Sequence, residues 1–145
     1  MIDASAALQT AIFTTLRADA ALVALFAPDE VRVYDRIPAD RDTGKVTARF
    51  PFIHIGAEDD QVLDDSDQCH VLGEHFASAH VWSRAVGRVE AKQIAAAVAA
   101  AVDAPLAIEG FAVISQRIEG IRAAPGGDGL TSHRVVSAAW VIEPA

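Results

Sequence analysis

Glu74-His-Phe-Ala-Ser-Ala-His-Val-Trp-Ser-Arg84 runs into Ala85-Val-Gly-Arg-Val-Glu-Ala-Lys92 and then into an alanine-rich segment ending near Val102. Apolar residues alternate with period 2 over 74–82, and from Ala85 onward the period is close to 3.6. A strand therefore passes directly into a helix. The junction at Ser83-Arg84 carries no nucleophile, metal cluster or phosphate loop, which is where an α/β enzyme often places one. This segment reads as one that holds a shape and meets a partner.

The helix is expected over 85–102. Its apolar stripe is Ala91, Ile94, Ala95, Val98, Ala101 and Val102, with Arg88, Lys92 and Gln93 on the other side. Small side chains on that stripe let the helix lie close to a sheet, and Pro105 stops it. Upstream, Leu8, Ile12 and Leu16 recur at helical spacing within 4–17, where Asp3 or Ser5 can cap the first turn. Asp19 caps a second helix at 20–26. Strands are expected at 31–35 and 52–57, loops at 37–49 and 58–73. Downstream, 106–108 and 111–121 flank a tight turn at Glu109-Gly110. Pro125-Gly-Gly-Asp-Gly129 is a turn signal before a last strand at 132–142. The order α-α-β-β-β-α-β-β-β is rich in hairpins. It predicts an α+β fold with a single, mainly antiparallel sheet, the N-terminal helices and one long helix packed on one face. One domain, 1–145, accommodates it.

In the strand 74–82, Ala77, Ala79 and Val81 face one way, and Phe76, Ser78, His80 and Trp82 the other. The last strand divides in the same manner, and neither face is strongly polar. A second apolar face calls for a cover, and we expect another subunit there. Trp82 and Trp140 are candidate interface residues. Arg84 and Arg88 join them, because cations near a helix N-terminus oppose its dipole and call for partners.

With 20 acidic against 12 basic residues the net charge is −8, the wrong sign for a sequence-reading nucleic-acid binder. Hydrophobic residues make up 52% of the chain, which excludes a disordered one. One cysteine, Cys69, excludes an internal disulfide. The N-terminus lacks the basic and apolar regions of a signal peptide, and the longest apolar run is about half of the ~20 residues a membrane span needs. A soluble chain made in the cytoplasm, with no membrane partner, is expected.

No catalytic or metal site is expected. His75 and His80 lie an odd number apart on one strand and so on opposite faces. Cys69-His70 are adjacent, and His54 stands on a different strand, so the spacing of zinc ligands is missing. The run Glu58-Asp-Asp-Gln-Val-Leu-Asp-Asp-Ser-Asp67 lacks the glycine and glutamate positions of a calcium loop. It reads as a solvated negative rim that repels DNA or meets a basic partner. Asp59, Asp60, Asp64, Asp65 and Asp67 are its candidate contacts, to a lumen or to an axial partner. No serine sits in a nucleophile elbow, and the glycine-rich stretch at 126–129 precedes a strand rather than a helix.

Several motifs resemble those of the tail-completion, or tail-terminator, family of long-tailed bacteriophages, which has relatives in phage-like gene transfer agents. Ala6-Ala-Leu-Gln-Thr-Ala-Ile-Phe-Thr-Thr-Leu-Arg-Ala-Asp-Ala-Ala-Leu22 is similar to the family's opening helix and second turn. Val33-Tyr-Asp-Arg-Ile-Pro38 and Phe50-Pro-Phe-Ile-His-Ile-Gly56 are similar to its next two strands. His80-Val-Trp-Ser-Arg84 with Gly87 and Glu90-Ala-Lys92, then Pro105-Leu106 and the final hairpin, complete the likeness. It runs nearly end to end, and the chain departs from it in the length of 37–49 and the acidity of 58–67. The resemblance implies a structural, non-enzymatic virion protein without cofactors. It implies a ring, usually a hexamer, at the head-proximal end of the tail tube. Such a ring ends tube polymerisation and joins the tail to the head-side connector, or stopper, protein. DNA passes its lumen without sequence-specific binding. The competing reading is a stand-alone oligomeric α+β ligand-binding or regulatory module.

Overall fold

All six residues of the alanine-rich stripe are buried in the computed structural model of the chain: Ala91, Ile94, Ala95, Val98, Ala101 and Val102. The structure describes residues 1–145, apart from the side chains of Ala57, Glu58 and Asp59. Among the described residues the elements run α1 (Ser5–Ala18), α2 (Ala20–Phe26), β1 (Val33–Tyr34), β2 (Phe52–Asp64), β3 (Gly73–Ser83), α3 (Val89–Asp103), β4 (Phe111–Ala124) and β5 (Ser132–Pro144). The strands form one sheet in the order β1-β2-β3-β5-β4. Only the short β1 runs parallel to its neighbour; every other pairing is antiparallel.

Strand alternation divides the sheet cleanly. Ile53 and Ile55 of β2, Ala79 and Val81 of β3, and Val136, Ala138, Trp140 and Ile142 of β5 face the helices. There they share one apolar cluster with Leu8, Ile12 and Leu16 of α1, Leu22 and Phe26 of α2, and the stripe of α3. Burial of this kind is worth about 25 cal/mol per Å² of apolar surface, and it fixes the helices to this side. The fold is α+β, with all three helices on one face.

Local chemistry sets the ends of the elements. Asp19 accepts a hydrogen bond from the Leu22 N–H at 3.0 Å and caps α2. At α1 the N-cap is Ala4, without a side-chain cap. Its own N–H donates instead to Nε2 of His75, 2.8 Å away on β3. Asp3 accepts from the Ser5 N–H at 2.9 Å, and the two hydrogen bonds from Ser5 hold its carboxyl below the usual range.

Four sequence expectations change. The acidic stretch is largely strand: β2 continues to Asp64, pairing with β3 again from Gln61↔Phe76 after an irregularity between Gly56 and Gln61. Backbone pairing does not require apolar side chains where both sheet faces are open to water. α3 starts at Val89 rather than 85, because Gly87 takes φ +80°, a left-handed conformation incompatible with a helix. Residues 106–108 form no strand; Leu106 and Ile108 are buried in the core from an irregular segment. The first strand shrinks to two residues.

Candidate functional site

The face turned away from the helices carries the unusual side chains. Register places them in rows across three strands. Phe52, Trp82 and His133 form the first row, His54, His80 and Val135 the second, and Gly56, Ser78 and Ser137 the third. In the first row the rings stack: Phe52 and Trp82 at 6.3 Å between centroids, Trp82 and His133 at 3.7 Å with planes 11° apart. Phe50 extends the row, 5.0 Å from Phe52. Arg84 lies over Phe50 with its guanidinium carbon 4.1 Å from the ring centroid, a cation–π contact. Phe52, Ser78, Val135 and Ala139 are buried. Phe76, His80, Trp82 and His133 are half-buried.

A hydrogen-bonded file runs through the rows. His133 Nδ1 lies 3.0 Å from the Pro125 carbonyl, so this nitrogen carries the proton and donates. Burial first, then Arg122 and His54, push the His133 pKa down, against the pull of the Pro125 carbonyl. With Nδ1 donating to Pro125, the neutral form that burial favours presents Nε2 as an acceptor, 2.7 Å from Nδ1 of His80. Nε2 of His80 lies 3.0 Å from the Ser78 hydroxyl. Glycine at position 56 makes room for this file, since a Cβ there would sit 2.6 Å from Nε2 of His80.

A serine beside an imidazole invites a hydrolytic reading. Ser78, however, is 3% exposed and belongs to a central strand paired on both sides, with Gly56 and with Ser137. Its neighbouring amides are spent on the ladders, and an oxyanion needs donors that are not. Among the described residues, no group of three His, Cys, Asp or Glu side chains is placed to hold a metal ion.

The four expected interface residues part company. Trp82 lies on the open face. Trp140 does not: it points to the helices, is 2% exposed and belongs to the chain's own core, so it has no surface left for a neighbour. Arg84 finds partners within the chain, Thr131 Oγ1 at 3.2 Å and Asp128 at 3.9 Å. Arg88 is the exposed N-cap residue of α3.

The acidic residues gather at the other end of the sheet. Asp60, Asp64, Asp65 and Asp67 are exposed, and Asp59 lies outside the described side chains. Asp64 pairs with the N-terminal amine at 3.3 Å; hydrogen bonds from Ser66, then that amine, lower its pKa. Asp67 Oδ1 accepts from the N–H groups of Cys69 and His70, both at 2.7 Å, which holds its carboxyl low in the same way. These two carboxylates shape the β2–β3 turn. His133 is the open-face residue that sequence reasoning missed: it lies 53 positions from His80, and the β3–β5 register brings them together.

Comparison with known proteins agrees with this architecture. The family model described as tail completion protein gp17 matches residues 10–143. A chain in a structure titled the virion of a native gene transfer agent particle is 26% identical, with a TM-score of 0.79 over 99% of both chains. The gp17 protein of bacteriophage SPP1 is 23% identical, with a TM-score of 0.58 over 94% of this chain and 89% of that one, a likeness of fold. No curated protein sequence matches. With 134 consecutive residues inside the family model, the chain belongs to the tail completion protein gp17 family.

Proposed function

We propose that the chain is a structural tail-end protein that assembles as a ring, a hexamer in our reading, on the head-proximal end of a tail tube. There it ends tube growth, meets the head-side connector and lets DNA pass. Family membership carries the coarse part, a structural role in tail completion. The finer part is carried by one observation, the end-to-end likeness to a chain inside an assembled gene transfer agent particle. That likeness supports a location in the tail of a phage or phage-like particle.

The open sheet face is consistent with this role. The rings of Phe50, Phe52 and Trp82 and the imidazoles of His54, His80 and His133 are ordered there without a helix above them, as on a surface whose second half belongs to another molecule. The net charge of −8 suits a lumen through which DNA slides, because fixed negative charge repels phosphate. No catalysis is part of this reading.

Electron microscopy of the purified protein, with and without tail-tube subunits, tests it. Rings on one tube end, and tubes of limited length, are the expected result. Particles that lack the protein yet keep head-joined tails of normal length would remove the terminator role and leave the binding-module reading in front.

A further inference from the structure

At the far end of β5 from the acidic residues, a cleft of about 660 Å³ opens between the start of α3 and the β4–β5 loop. Arg84, Arg88, Lys92 and Arg134 line it, against the single carboxylate of Asp128. On a chain of net charge −8 this concentration of cations stands out. Among the described residues, Arg88, Lys92 and Arg134 have no ion-pair partner. Nε of Arg134 is shielded from solvent and has no hydrogen-bond partner. Arg88, Ala91 and Lys92 at the start of α3 line the same space, and the helix has no side-chain cap there. The N–H groups of that turn add positive potential, and the carboxylate of Glu90 in the same turn is turned to Ser83 Oγ at 2.7 Å. Cations gathered at the positive end of a helix repel one another and the dipole, so the cleft is built for an anion.

Asp128 of the same copy faces Arg84, but the acidic β2–β3 turn of that copy is too far away to reach the other cations. Ser132, at the cleft, pairs with Ser83, whereas Ile142 pairs with Gly73 at the base of the acidic turn. Ten residues of strand separate the two ends, about 33 Å at ~3.3 Å per residue. This exceeds several-fold the ~8–10 Å over which exposed charges act in physiological salt. The two ends of one copy therefore do not neutralise each other, and two copies can approach cleft to turn despite their like net charge.

We infer that the cation-lined cleft receives the acidic β2–β3 turn of a second copy of this chain, with Asp64, Asp65 and Asp67 facing Arg88, Lys92 and Arg134. The contact joins two different surfaces, so it is head-to-tail, and repeating it closes a ring or grows a filament. A compact pit suits a hairpin tip. A duplex would need a basic stripe along its phosphates, and the chain as a whole carries a net charge of −8. The inference rests on the ring reading above and names one of its contacts.

Cys69 provides the test. It is the chain's one cysteine, it is exposed, and it lies in the acidic turn. Full-length Lys92→Cys places a second thiol in the cleft; Thr14→Cys, exposed on α1, is the control. Concentrated protein is oxidised gently and the disulfide-linked peptides are counted by mass spectrometry. The expected result is a head-to-tail ladder in which the 69–92 link exceeds the 69–14 link roughly tenfold, the gain that local docking gives over random encounter. Adding Arg88→Glu and Arg134→Glu should remove the excess, and adding Asp64→Lys and Asp65→Lys to those should restore it. Equal yields of the two links, or an excess that survives the arginine changes, overturn the contact. So does a duplex that binds wild type, loses binding with Arg88→Glu and Arg134→Glu, and leaves no 69–92 product. Rings seen by microscopy with no excess of the 69–92 link would reject this contact and keep the ring. A 69–92 ladder with uncapped tubes would keep the contact and reject the terminal role.

Discussion

Trp82 stacks on His133 with ring centroids 3.7 Å apart, directly across the β3–β5 pairing. This contact fixes the imidazole against the sheet, and the Pro125 carbonyl fixes which nitrogen carries its proton. The open face is thus ordered by the chain itself before anything binds to it.

His133 gives the face a pH dependence. Its pKa in the fold lies below the ordinary histidine value, chiefly because burial disfavours the charged ring. A group depressed in this way contributes stability that is present above its unfolded value, ~6.5, and lost as pH falls through the folded value. The urea midpoint of wild type should therefore drop between pH 7 and pH 5. His133→Gln should flatten that slope, and parallel profiles for the two proteins would refute the assignment.

The two tryptophans should separate folding from assembly. Trp140→Ala empties the helix-side core, where loss of a large aromatic costs about 3–5 kcal/mol, and its denaturant midpoint should fall sharply. Trp82→Glu alters a half-buried ring on the open face. It should stay folded by circular dichroism and fail to form rings in sedimentation. Normal rings from Trp82→Glu would show that the face is not an interface.

Asp60→Asn and Asp65→Asn combined should leave the thermal midpoint of the subunit unchanged, because exposed charges add little to stability. Assembly or partner docking should weaken instead, read by sedimentation and by capping of tail tubes. A large loss of midpoint would mean that these carboxylates hold the fold.

His75 ties the N-terminal segment to the sheet. It is 1% exposed; its Nε2 accepts from the Ala4 N–H, and its Nδ1 donates to the Gly73 carbonyl at 3.0 Å. His75→Ala leaves the buried Ala4 N–H without its acceptor, at a cost of about 1–3 kcal/mol. Hydrogen exchange at Ala4 should accelerate far more than exchange at Val98 in α3; equal acceleration would contradict a local tie.

Much of the fold was legible because periodicity is a local signal. The α3 stripe is buried residue for residue, α2 spans the expected positions, and the division of β3 into two faces is the one seen. What failed had non-local causes. The acidic run looks like a loop by composition, yet 60–64 lie in strand because β3 offers a partner after the irregularity at Gly56. Leu106 and Ile108 look like strand residues, but they are buried in the core from an irregular segment between α3 and β4. Trp82 and Trp140 share an apolar pattern, and only the position of the helices decides which one is covered. The basic cleft was invisible for the same reason: Arg134 meets Arg88 and Lys92 only because β5 lies beside β3, whose end leads into α3.

The last rung of that ladder, Ser83↔Ser132, has a mechanical consequence. It clamps together the two chain segments that form the walls of the cleft, one leading into α3 and the other leaving the β4–β5 loop. The walls are thus held in place by sheet pairing rather than by loop contacts alone. A molecule that docks there meets a preorganised receptor, so little conformational entropy is lost at the moment of contact. Association should then proceed as between near-rigid bodies, its speed set by collision and charge rather than by rearrangement.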